Sequence, residues 1–101
     1  MKLLTLTVVK AFEKDVKKML IHTGVKAFTF MNVTGYRDAS ADSVDDNWFA
    51  SETNETDSLL FWAFVPGETV VKVEAAILHF NAKQTTASRI HLSILPIEKS
   101  I

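Results

Sequence analysis

Cysteine is absent from this 101-residue chain, which excludes a disulfide framework and any thiolate-ligated metal site. No apolar run approaches the length of a membrane-spanning helix. Net charge is only −1 at pH 7, so the broad basic surface of a nucleic-acid binder is missing. No Ser/His/Asp spacing, phosphate loop or paired-carboxylate pattern points to catalysis, and the chain reads as a non-enzyme. Glycine is missing between Gly35 and Gly67, so Asp42, Asp45 and Asp46 lack the turn a looped calcium site needs, and no metal site is expected. The N-terminus lacks a small-residue cleavage site behind a long apolar core. It reads as a strand entering a charged helix, not as a signal peptide, and the expected location is the cytoplasm.

What is present is 48% hydrophobic sequence, ordinary for a globular chain and enough for one domain over residues 1–101. Residues 2–9 alternate, with Leu4, Leu6 and Val8 on one face and Leu3, Thr5, Thr7 and Val9 on the other, which predicts a strand. Residues 11–23 switch to helical spacing through Phe12, Val16, Met19 and Leu20, and Gly24 stands where a left-handed helix end is expected. Residues 25–35 alternate again, with Phe28 and Phe30 opposed to Met31 and Val33. A third strand is expected over 58–65, ended by Pro66. A second helix follows from Glu68 to about Phe80, with Val70, Val73, Ile77 and Phe80 on its buried stripe, and a last strand covers 89–95. Two right-handed crossovers in the order βαββαβ give an α+β, ferredoxin-like fold. Its four-stranded antiparallel sheet has the order 4-1-3-2, both helices lie on one face, and a long loop joins strands 2 and 3.

Strand 3 is apolar on both faces, with Leu59, Phe61, Ala63 and Val65 opposed to Leu60, Trp62 and Phe64. Two helices cover only one face, so the other calls for partner subunits. Charge is distributed just as unevenly. Residues 38–58 hold Asp38, Asp42, Asp45, Asp46, Glu52, Glu55 and Asp57 without one Lys or Arg, and all 11 basic residues lie elsewhere. Such a segment resists packing and is expected to be a solvated loop, cut first by proteases between Ser40 and Thr56. Trp48 and Phe49 stand side by side inside it. They are either an anchor for a partner or a contact back onto the body; the hydrated acidic surroundings favour the anchor. His22, His79 and His91 are isolated in sequence and read as unrelated structural histidines.

The run KLLTLTVVKAFEKDVKKMLIHTGVKAFTFMNVTGYR resembles the opening of the PII signal-transduction family, carried by Phe12, Asp15, Val16, Gly24, Val25, Thr29, Val33 and Gly35. LFWAFVPGETVVKVEAAIL and RIHLSILPIEKS resemble its third strand, second helix and final strand. The chain is thus similar to a divergent member of that nitrogen-regulatory family, with residues 36–58 at the place of its T-loop. The resemblance implies a homotrimer that binds a small effector, an adenine nucleotide such as ATP, ADP or AMP, in clefts between subunits. It implies that Asp45, Asp46, Trp48 and Phe49, within 38–58, contact a membrane transporter or a regulated enzyme, with no nucleic acid and no membrane insertion. Carried over residue by residue, the effector site would comprise Thr29, Gly35, Tyr36, Arg37, Phe64, Ser88 and Arg89. The family's glycine-rich phosphate loop is here Thr86, Ala87, Ser88 and Arg89; Trp62 replaces a Glu of the cleft; Ala39 replaces a Gln that helps bind Mg-ATP; and Ser51 replaces the modified loop-tip Tyr. Weaker nucleotide binding than in an ordinary PII protein is the expectation. A trimer of the same fold that responds to metal ions, like the CutA copper-tolerance proteins or the PII-like proteins of heavy-metal efflux, is the alternative.

Overall fold

Alternation in the first eight strand residues is the organising feature of the sheet. The computed structural model describes residues 1–37 and 55–101. Strand β1 (Lys2–Val9) buries Leu4, Leu6 and Val8 completely and passes through a 3₁₀ turn over Lys10–Phe12 into helix α1 (Glu13–His22). Strands β2 (Thr29–Tyr36) and β3 (Glu55–Val65), helix α2 (Gly67–Ala82) and strand β4 (His91–Pro96) follow. All strand neighbours are antiparallel and the order is β2-β3-β1-β4, the expected ferredoxin-like arrangement. No helix among the described residues is long and apolar enough to cross a membrane.

The core lies between the helices and one face of the sheet. Val16 and Leu20 from α1 and Val70, Val73 and Ile77 from α2 pack over Leu4, Leu6, Val8, Leu59, Phe61, Ala63 and Val65. The expected helix stripes continue at their ends, where Phe12 meets Phe80 edge to face at 5.0 Å. Beneath α1, Phe61 carries Phe28 at 5.9 Å and Phe30 at 5.2 Å.

Element boundaries depart from the sequence pattern for local reasons. Gly24 has φ +96° and ends α1 in the left-handed region, as its position predicts. Its N–H donates to the Ile21 carbonyl and the Val25 N–H to Leu20, the paired bonds of a Schellman motif. Val25 is thereby committed to the helix end, and β2 starts at Thr29 rather than at residue 25. β3 begins at Glu55 rather than 58, because Glu55, Thr56 and Asp57 pair with Tyr36, Gly35 and Thr34. Helix α2 runs two residues past Phe80, and β4 starts at His91, two residues later than the alternation suggests.

The open face of the sheet carries four cross-strand rows. Leu95, Leu3 and Phe64 form one; Ser93, Thr5, Trp62 and Thr29 the next; then His91, Thr7, Leu60 and Met31; then Val9, Ser58 and Val33. Phe64 is 51% exposed, Met31 47% and Leu95 41%. The β2–β3 flank of this face is thus mainly apolar, and the β1–β4 flank sets Thr5, Thr7 and Ser93 beside Leu3 and Leu95.

Candidate functional site

The residues singled out from the sequence fall into two groups at opposite ends of β2. Gly35 and Tyr36 close that strand opposite Thr56 and Glu55, and Arg37 follows them, half-buried. Thr29 opens the strand opposite Trp62. Gly35 lies six residue steps along the strand from Thr29, roughly 20 Å at about 3.4 Å per residue.

Arg89 belongs to the Gly35 end. It precedes β4 by two residues, at the same end of the sheet as Gly35 but beside the opposite edge, since the order β2-β3-β1-β4 sets three inter-strand spacings, roughly 14 Å, between β4 and β2. Its guanidinium Nη1 donates to the Ser88 carbonyl at 2.8 Å and also to the Thr86 carbonyl. Ser88 N–H donates to Thr86 Oγ1 at 3.3 Å. The turn over residues 86–89 is therefore closed by its own arginine. Among the described residues, both Arg89 hydrogen bonds run through Nη1, leaving the Nε/Nη2 edge of the fork facing no other described partner. That edge is the geometry a phosphate or carboxylate accepts bidentately.

At the other end, Ala27, Phe28, Thr29, Trp62, Ala63 and Phe64 line a cavity of about 190 Å³. It forms because β2 stops at Thr29 while β3 continues to Val65, leaving a notch beside the last β3 residues. Two expected residues, Thr29 and Phe64, meet in this notch, joined by Trp62. The cavity is smaller than the ~300–1,000 Å³ typical of a complete small-molecule site. Ala27, Phe28 and Ala63 were not singled out in the sequence; only the strand register brings them there.

Asp45, Asp46, Trp48 and Phe49 lie outside the described residues. Of the histidines, His22 ends α1, His79 lies in the last turn of α2, and His91 opens β4. Among the described residues, no group of three His, Asp or Glu side chains is placed to hold a metal ion. A second groove, of about 400 Å³, runs between α2 and β4 past Ile77, Leu78 and Ile94, and contains none of the expected effector residues.

No protein-family model matches the chain. No curated protein matches it either. Solved structures do. A DUF3240 family protein from Shewanella baltica OS155 superposes with a TM-score of 0.67 at 16% identity, covering 98% of this chain and 91% of the other. The CPII protein of Thiomonas intermedia K12, bound to ADP, AMP and acetate, gives 0.67 at 16% identity, over 93% of this chain and 82% of CPII. A second CPII structure, described as a nitrogen regulatory PII-like protein bound to ADP, AMP and bicarbonate, gives 0.63 at 16% identity, over 99% and 94%. At this level of identity the likeness establishes a PII-like fold.

Proposed function

We propose that this chain is a PII-like regulatory protein that assembles as a homotrimer and binds an adenine nucleotide between protomers. It then controls a partner, a membrane transporter or an enzyme, through the segment joining β2 and β3. The observation that carries this reading is the division of the candidate site. Thr29, Trp62 and Phe64 stand about 20 Å along the sheet from Gly35 and Arg37, too far apart to line one compact pocket on a single protomer. Placed at a junction between copies, the aromatic notch of one protomer and the basic end of its neighbour form a single cleft. Stacking and shape come from one side and positive charge from the other. The uncovered sheet face supplies the apolar surface for such a junction. CPII, whose fold is shared, binds ADP and AMP, which favours adenine nucleotides as the first ligands to try.

The regulatory logic is local. Arg37 directly follows β2 at the sheet end from which the β2–β3 connection departs, so an anion it holds acts at the root of the partner-binding segment, while Arg89 reaches the same end from the opposite edge of the sheet. Titration calorimetry with ATP, ADP and AMP tests the ligand. Wild type binds at least one of them, and Arg89→Ala weakens it about tenfold or more, the loss of a charge-assisted hydrogen bond. No heat with any of the three removes nucleotide sensing; equal affinity in the variant removes Arg89 from the site.

A further inference from the structure

Asn81 holds the Arg89 turn at both ends. Its side chain makes a two-way pair with the Ile90 backbone: Nδ2 donates to the Ile90 carbonyl at 2.9 Å, and the Ile90 N–H donates to Oδ1 at 2.8 Å. A carboxamide so used imitates the neighbouring strand that Ile90 lacks at this point. At the other end of the loop, the Asn81 backbone carbonyl accepts the Gln84 N–H at 3.3 Å. One residue in the last turn of α2 therefore fixes where the 84–90 loop leaves the helix and where it enters the sheet.

Ile90 is doubly anchored, since its side chain is also buried in the core at 3% exposure. Arg89 is the residue immediately before it, so the origin of its side chain is set by Ile90. The guanidinium is then oriented by the Thr86 and Ser88 carbonyls. The supporting helix end is itself rigid, because Phe80 packs against Phe12 and its carbonyl accepts the Gln84 side-chain amide at 3.2 Å.

The geometry points to Asn81 as the positioning residue of the anion site: it supplies, from a helix, the fixed placement that a glycine-rich phosphate loop obtains from its own backbone. This rests on the nucleotide-binding reading above. Asn81 touches no ligand in this scheme and acts only through Ile90 and Arg89. Replacement by Asp keeps size and the acceptor for the Ile90 N–H, but sets a second acceptor against the Ile90 carbonyl. Replacement by Ala removes both bonds.

The test combines ATP titration with amide hydrogen exchange on wild type, Asn81→Asp, Asn81→Ala, Arg89→Ala and the Asn81→Asp/Arg89→Ala double variant. Asn81→Asp weakens ATP binding about fivefold or more, of the order expected when a partly buried hydrogen bond is replaced by a repulsion. In the Arg89→Ala background the same change has no further effect on affinity, because the group being positioned is gone. Exchange at Arg89 and Ile90 accelerates in Asn81→Ala without nucleotide; should that variant not fold, Asn81→Asp carries the test. Unchanged exchange, unchanged affinity, or an equal loss in both Arg89 backgrounds overturns the assignment, the last by showing general loosening. Wild type that binds no nucleotide overturns the functional reading together with this one. Wild type that binds, with Asn81→Asp binding equally well, overturns this one alone.

Discussion

Lys17 Nζ stands 4.3 Å from the centroid of the Phe30 ring. The same ammonium pairs with Glu13 at 2.7 Å, one helical turn back on α1. Phe30 lies on the edge strand β2, is 41% exposed, and stacks on the fully buried Phe61. A surface ion pair, a cation over a ring and a core aromatic thus form one chain of contacts from helix to sheet edge.

Lys17→Met separates the charge from its stem. Methionine keeps the hydrocarbon over Phe30 and loses the ammonium, so the expected loss is about 0.5–1 kcal/mol by urea denaturation. Lys17→Ala loses the covering stem as well and costs more. Equal stabilities for Lys17→Met and wild type would mean that packing alone joins α1 to β2.

Glu13 gives this contact a pH dependence. The hydrogen bond from Lys17 holds the Glu13 carboxyl below its ordinary value, with the positive charges of Lys17, Lys10 and Lys14 adding to it against partial burial. A carboxyl depressed in the folded state stabilises the fold above its unfolded pKa, and that contribution disappears as pH falls through the folded value. Denaturation midpoints measured from neutral pH down through the carboxylate range therefore fall less steeply in Glu13→Gln than in wild type. Parallel profiles would place the acid sensitivity elsewhere.

Assembly is tested on the open sheet face. The expected outcome of light scattering on wild type is a mass near three chains at micromolar concentration. Phe64→Glu is folded, because the ring is 51% exposed in the single chain, but shifts the mass toward one chain by placing a charge among Leu3, Trp62 and Leu95. A monomeric wild type would remove the trimer and the shared cleft together.

Much of the fold is legible because sheet and helix periods change sharply at short, well-marked points. Gly24 marks the end of α1 and adopts the left-handed geometry its place demands. The strand starts are less legible. Alternation from Val25 looks like strand, yet its N–H is taken by Leu20, a bond that depends on how the helix ends. Glu55, Thr56 and Asp57 look like loop, yet pairing with Thr34–Tyr36 makes them strand. The candidate site divides in the same way. Thr29 and Phe64 were nameable from the resemblance and do meet, but their distance from Gly35 is visible only in the register. Asn81 carries no sequence signal at all, since nothing local says that a side chain at the end of a helix will pair with a backbone nine residues on.

The β2–β3 ladder closes with Tyr36 opposite Glu55, a pair held about 4.5–5.5 Å apart by antiparallel geometry. Both strands leave for the intervening segment from that one end. A force drawing the two exits apart would load the ladder rung by rung, first Tyr36–Glu55, then Gly35–Thr56, then Thr34–Asp57. The load reaches the Thr29–Trp62 rung last. Mechanically the hairpin is a zipper whose slider sits beside Arg37, so tension on the connecting segment disturbs the basic end of the sheet while the aromatic notch keeps its shape.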